Sequence, residues 1–394
     1  MRPPRVVIAP DSFKESLAAP EVAAAIRVGL ARVWPDADLV ELPVADGGEG
    51  TVAAMVGAAH GRLVTLDVRG PDGRPVRASY GLLDDGRTAV VEAAAAAGLH
   101  LVAEAERAPG TATTYGVGQL VAHALDQGVA RVVVGLGGTA TNDGGAGLLE
   151  ALGARMLDAH GEPVGQGGAA LRHVRRVDLA GLHAGVGAAV VEAACDVDNP
   201  LLGPQGATAV FGPQKGVDAE EVDALEDALR TWADVLAAAS GHDPREEPGA
   251  GAAGGLGFAL LSAASARLRP GFPLVAEAVG LGRAVAEADL VVTGEGCVDG
   301  QTVRGKAPSG VIALAREAGV PVVVIGGSVG PGSDEVVRAG AVAVFGCVPA
   351  PAGIEEVLGQ ARANLERTAE QVAATWESGR RAAGMLDRSN GQVG

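Results

Sequence analysis

The chain has 394 residues, 48% of them apolar but only 3% aromatic, and its 31 Lys and Arg against 48 Asp and Glu leave a net charge of −17. That length makes two or three domains at roughly 100–200 residues each, and so acidic a surface repels phosphate backbones, which argues against nucleic acid as a partner. The three scattered cysteines (Cys195, Cys297, Cys347), the lack of any apolar run near the roughly 18 residues of a membrane span, and an opening "MRPPRVVIAPDSFK" without a signal peptide's apolar core predict a reducing, cytoplasmic setting and no membrane partner.

From the N-terminus, Val6–Ile8 predicts a buried strand, and Pro20 followed by Val22, Ile26, Leu30 and Val33 at helical spacing predicts a helix that Pro35 stops. Leu39–Leu42 predicts a second strand. The rhythm then changes. "LVTLDVRGPDGRPVRASYGLLDDGRTAVVEAA", residues 63–94, alternates apolar and polar positions around Pro-Asp-Gly and Asp-Asp-Gly, which predicts antiparallel hairpins. Further apolar runs at Val132–Val134, Val190–Val191, Leu290–Val292, Val322–Ile325 and Val342–Phe345 predict strands. Helical patterns separate several of them, at about 117–127, 146–157, 219–239, 308–318 and 354–377, and "REEPGAGAAGGLGFALL" (245–261) reads as a Gly/Ala-rich connection into a helix.

Strand and helix in alternation predict parallel, doubly wound sheets of an α/β protein. The period changes near residue 62 and returns to strand–helix near 285. The expected architecture is therefore a Rossmann-like parallel-sheet domain built from residues 1–62 and 285–380. A second α/β domain containing the hairpins is inserted at 63–284, and residues 381–394 form a tail.

Five predicted strands run directly into polar clusters: "PDSFKES", "ADGGEGT", "LGGTATNDGGAG", "CDVDNP" and "GEGCVDGQTVRGK". Ligands of open α/β sheets bind outside the carboxyl ends of the strands, often against helix amino termini, so at least three of these clusters are expected to line one cleft. The glycines of "GLGGTATNDGGAG" (135–147) can bring backbone N–H groups close to a phosphate or carboxylate; a bare turn before a helix needs fewer. Lys14, Lys215 and Lys306 are the only lysines, and all stand in Gly/Pro-punctuated loops. Acids accompany them: Asp46 and Glu49, Asp143, Asp196 and Asp198, Glu295 and Asp299. Phosphoryl transfer needs these parts, namely carboxylates for Mg²⁺, a base near the attacking hydroxyl, cations on the transferred group and backbone amides around phosphate.

Other motifs match in part. Gly135-x-Gly137-x-x-Ala140 with Asp158 downstream approaches a dinucleotide fingerprint, but "TNDGG" stands where the helix should begin and Asp158 follows a helical pattern. It motivates a rival, an NAD-dependent 2-hydroxy-acid dehydrogenase; a non-catalytic sugar-acid binding protein is a second. Gly300-x-x-x-x-Gly305-Lys306 lacks a P-loop's following hydroxyl, since Ala307 stands there, though Lys306 before a proline-started helix suits an anion. No H-E-x-x-H is present.

Taken together, "IAPDSFKESL", "PVADGGEGT", "GLGGTATNDGG", "ACDVDNPLLGPQGA", "FGPQKG" and "TGEGCVDGQTVRGKAP" resemble the glycerate kinases of the bacterial type-1 family, in order over about residues 5–375. The resemblance implies ATP- and Mg²⁺-dependent phosphorylation of D-glycerate, typically to 2-phosphoglycerate, in glyoxylate and sugar-acid metabolism, on a Rossmann-like domain and an α/β insert with a cleft between them. D-glycerate and ATP are then the expected partners, with a homo-oligomer left open. One departure stands out: Cys297 and Gly300 occupy positions where the family commonly has arginine and serine.

On this reading Asp11, Ser12, Lys14 and Asp46 hold the acid, with Lys14 against its carboxylate or the transferred phosphoryl group, and Arg304 and Lys306 approach the phosphates. Gly137, Gly138, Thr139, Thr141, Asn142, Gly294 and Lys215 surround the nucleotide's phosphates. Asp196 is the first candidate for the base and Asp143 the second, while Asp46, Glu49 and Glu295 are candidate metal ligands.

Overall fold

Strands appear in the order β1 (Arg5–Ile8), β2 (Asp38–Glu41), β3 (Arg62–Arg69), β4 (Pro75–Leu82), β5 (Thr88–Glu92), β6 (Arg131–Gly135), β7 (Arg155–Leu157), β8 (Arg176–Asp178), β9 (Val190–Ala194), β10 (Arg267–Arg269), β11 (Leu290–Val298), β12 (Val322–Val329) and β13 (Ala343–Gly346). The computed structural model describes residues 2–83 and 86–390. It divides the chain into two compact units, Met1–Ala45 with Val275–Gly394, and Asp46–Leu274.

The unit carrying both termini is built on a five-stranded, wholly parallel sheet in the order β13-β12-β11-β1-β2. Its inner strands are continuous apolar runs because both faces are covered. Helices Ala19–Val33 and Ala361–Asn390 contribute Val22, Ile26, Leu30, Leu365, Ala369 and Ala373 to the core around Val6, Ile8, Leu290 and Val292. The two helices approach closely at Gly29, where a Cβ would stand 2.7 Å from that of Ala369. Arg32 reaches across to Glu366 at 2.6 Å.

The other unit holds a six-stranded sheet in the order β10-β9-β6-β5-β4-β3. The β3–β4–β5 edge is antiparallel, and β5, β6, β9 and β10 run parallel. The alternation in residues 63–82 thus reads as a hairpin edge on an otherwise parallel sheet. The Asp-Asp-Gly expected to turn the second hairpin includes Asp84 and Asp85, which lie outside the described residues. A separate antiparallel pair, β7–β8, completes the strands.

Three local expectations change. The pattern over 146–157 is a short helix, Ala146–Ala151, followed by Gly153 at φ +102° and then β7, so Asp158 follows a strand and not a helix. The pattern over 354–377 is two helices, Ile354–Gly359 and Ala361–Asn390. The second runs on through residue 390, in the stretch read as a tail, whose last residues, 391–394, lie outside the described residues. The units themselves divide at Ala45 and Leu274, where the sequence reading sets changes at 62 and 285. Helix Thr51–Ala58 belongs with the hairpin because Val52 and Val56 lie over Gly81. Among the described residues no helix is long and apolar enough to cross a membrane.

Candidate active site

In the unit with both termini, two polar clusters meet at the carboxyl ends of β1 and β11. The Asp11 N–H donates to the Gly294 carbonyl at 2.9 Å, and the Asp11 Oδ1 accepts from the Ser12 N–H at 2.6 Å. Phe13 and Leu17 then bond each other's backbone in both directions, closing a tight loop with Lys14 exposed at its tip. The loop holds Glu15 at φ +66°, a conformation that costs a non-glycine residue about 1–2 kcal/mol and is characteristic of functional loops. Gly294 and Glu295 lie within β11 and not after it, since pairing with β12 continues to Val298. Gly294 is required there: a Cβ would strike the Ile325 carbonyl.

Glu295 is 8% exposed. Its Oε2 accepts from Lys306 Nζ at 3.2 Å, while its Oε1 is buried without a partner among the described residues. Lys306 immediately precedes helix Ala307–Ala318, which has Pro308 in its first turn. Arg304 is exposed on the loop before it.

In the other unit three clusters converge. Gly47, at φ +94°, sits so close to its neighbours that a Cβ would lie 2.8 Å from Gly271 Cα and 2.9 Å from Ala194 Cβ. The Gly47 carbonyl faces Gly135, and Gly48 faces Gly137. The loops after β6 and β9 are thereby packed against "ADGGEGT". Asp46 accepts from the Gly48 N–H at 3.2 Å, and Glu49 is exposed.

Asp196 lines an open hollow of about 470 Å³ together with Asp198, Arg269 and Pro270. Its Oδ1 accepts from the Gly271 N–H at 2.9 Å, at the start of helix Gly271–Ala278. Desolvation raises its pKa above the usual carboxylate value and the nearby Asp46 adds to this, against the Gly271 hydrogen bond.

Asp143 is different. It is wholly buried, with Oδ2 accepting from the Thr114 N–H (2.8 Å), the Thr114 hydroxyl (2.9 Å) and the Gly147 N–H (3.2 Å), and Oδ1 from the Gly145 N–H (3.1 Å). Burial raises its pKa despite these bonds. Both oxygens are committed to shaping the glycine loop and starting helix Ala146–Ala151.

Of that loop, Leu136–Thr139 border a cavity of about 160 Å³ whose other walls include Phe211, Gln214, Lys215 and Ala253. Lys215 is 2% exposed and donates to the Thr141 carbonyl at 2.7 Å and the Thr139 hydroxyl at 3.4 Å. Burial pulls its pKa down to about 8, although the charge of Asp143 opposes this. Thr141 and Asn142 are buried below the loop, where Asn142 Nδ2 donates to Thr208 Oγ1 at 3.0 Å. Thr141 Oγ1 and Asn142 Oδ1 are buried without partners among the described residues.

The sequence reading missed Glu92 and Ala253. Glu92 closes β5 and accepts from the Val52 N–H at 2.7 Å; burial and the nearby Glu49 raise its pKa. Ala253, Gly254 and Gly255 all adopt left-handed conformations beside the Lys215 cavity. "AAGG" was the available signal, a small-residue run before a helix. A hollow of about 560 Å³ opens at the amino ends of β9 and β10, and no sequence-predicted site residue lines it.

Among the described residues no three His, Cys, Asp or Glu side chains form a ready metal cage. Mg²⁺ does not need one, because it keeps several waters and is bound through one or two carboxylates plus substrate phosphates. The unpartnered buried oxygen of Glu295 fits that donor set.

The model of the Glycerate kinase family matches residues 6–377. The chain is 50% identical over 371 residues to a glycerate kinase of Bacillus subtilis (strain 168), covering 94% of this chain and 97% of that protein. It is 43% identical over 380 residues to the glycerate 2-kinase of Escherichia coli (strain K12), covering 96% and 100%. A crystal structure from Salmonella typhimurium LT2, assigned as a glycerate kinase 2, superposes with a TM-score of 0.89 at 46% identity, covering 96% of this chain and all of that one.

Proposed function

Because the chain belongs to the glycerate kinase family, we propose that it transfers the terminal phosphoryl group of ATP to a hydroxyl of D-glycerate. The proposed product is 2-phosphoglycerate, in line with the name of the Escherichia coli relative. The observation that carries the chemical assignment is Asp196: an accessible carboxylate on the wall of a hollow, fixed through one oxygen by the Gly271 N–H, with a proton affinity raised by its surroundings. A carboxylate so tuned suits a general base. It takes the proton of the substrate hydroxyl as the oxygen–phosphorus bond forms and ADP departs.

The remaining assignments follow the same chemistry. Lys14, exposed on its strained loop, together with Asp11 and Ser12, holds the anionic substrate, and Arg304 and Lys306 neutralise phosphate charge. Lys215 and the amides of Gly137 and Gly138 offer a second anion site. Asp143 acts as a positioning residue, holding the loop through its four hydrogen bonds. For Mg²⁺ the candidate ligands are Glu295 in one unit and Asp46 and Glu49 in the other; when bound, the ion neutralises charge on the phosphates. The proposed setting is the cytoplasm.

The test is an ATP-coupled assay with D-glycerate, with phosphorus NMR of the product. ADP formation that depends on D-glycerate, with phosphate on carbon 2, is expected. Absence of glycerate-dependent ADP release from folded protein refutes the reading, and a 3-phosphate product refutes its regiochemical part.

A further inference from the structure

One cavity stands apart from every group given a role above except Lys14. It lies in the unit with both termini, holds about 120 Å³, and is walled by Phe13, Cys347, Val357, Leu358 and Asn364, with Lys14 also on its lining. It opens at the carboxyl ends of β12 and β13, where open α/β sheets bind ligands. Its lining is largely apolar, and Ile354, 68% exposed, stands on it as an uncovered hydrophobic side chain.

Asn364 is the buried polar side chain in that lining, where Lys14, Ser16 and Ser328 are at least partly exposed. It is 5% exposed, and its backbone N–H and carbonyl are engaged with Gln360 and Thr368, yet its carboxamide has no hydrogen-bond partner among the described residues. A carboxamide that faces an apolar cavity presents one acceptor and one donor pair to whatever fills it. What completes it must be flat or small, apolar on its faces, and carry a donor beside an acceptor on one edge. Pockets that enclose whole drug-sized ligands run to about 300–1,000 Å³, so this one takes a ring and leaves the rest of the ligand outside.

We propose that this cavity seats the adenine ring of the nucleotide, with the Asn364 carboxamide paired to the ring's amino group and adjacent nitrogen and the phosphates leading out past Lys14. An asparagine matches that donor–acceptor edge of adenine in two hydrogen bonds. The inference rests on the kinase reading, since it takes ATP as the donor, and it adds the place and the recognising residue.

The experiment is calorimetric titration of ADP into the full chain, its Asn364→Leu variant and a Val357→Trp variant that fills the cavity. Asn364→Leu is expected to weaken ADP binding about tenfold, the scale of one bidentate amide contact. Its melting temperature should stay close to that of the parent, because Leu is of similar size and no protein hydrogen bond of the side chain is lost. Val357→Trp should weaken ADP binding further, with the KM for D-glycerate held within about twofold of the parent in both. ADP affinities within about twofold of the parent in both folded variants overturn the site. If such variants still phosphorylate glycerate from ATP, only the site falls; if the parent neither binds ADP nor turns over, the kinase reading falls with it.

Discussion

Asp143 and Asp196 each stand in the loop after a parallel strand of the same sheet, each has its pKa raised by desolvation, and each was a candidate base. Their surroundings differ completely. Asp143 spends both oxygens on four internal donors and is sealed, whereas Asp196 accepts one such bond and faces an open hollow. A perturbed proton affinity therefore does not separate a base from a clamp. Free lone pairs and access do.

The largest expected effect falls on the open residue. Asp196→Asn should lower kcat by about 10²–10⁴, or about 3–5 kcal/mol, with little change in melting temperature. A loss below tenfold removes Asp196 as the base. Asp143→Asn should act in the opposite currency, costing about 2–3 kcal/mol in denaturant unfolding because an amide cannot accept from four donors. Should that variant keep its stability and lose turnover as Asp196→Asn does, the two roles are reversed.

Lys215 supplies a pH test. Its ammonium is lost as pH rises through about 8, so kcat/KM should fall above that value, and Lys215→Arg, which stays charged, should abolish the fall. The stability sign is the reverse. Between about 8 and the ordinary lysine value of 10.5 the unfolded chain binds the extra proton, so unfolding free energy from this group rises with pH there, and Lys215→Met should flatten that rise.

The smallest effect belongs to Asp46, whose charge helps raise the pKa of Asp196. The acid limb of kcat/KM should lie above the ordinary carboxylate range, and Asp46→Asn should move it downward. An unmoved limb would show that desolvation alone sets it.

Much of the fold was legible. The apolar runs at Val6–Ile8, Leu290–Val292 and Val322–Ile325 became neighbouring parallel strands because a strand covered on both faces must be apolar throughout. The period-two alternation of residues 63–82 became β3 and β4, paired from Arg62–Leu82 to Arg69–Pro75. What failed to show was short or mixed: β10, three residues with two arginines, carries no apolar signal, and Gly153 ended a helical pattern that apolar spacing alone extended to 157. Within the candidate site the polar clusters were visible as clusters. The difference between Asp143 and Asp196 was not, because the donors that occupy Asp143 include Thr114, 29 residues away.

Composition and pattern by themselves determined the α/β class, the hairpin edge and the polar loops at strand ends, since burial periodicity and turn chemistry are properties of neighbouring residues. Only the tertiary structure decided which carboxylate is sealed, that Lys215 is buried beneath the glycine loop, and that Asn364 lines a cavity with no side-chain partner among the described residues. Burial and hydrogen-bond saturation are set by groups distant in the chain, and it is these that tune proton affinity and leave a polar atom ready for a ligand.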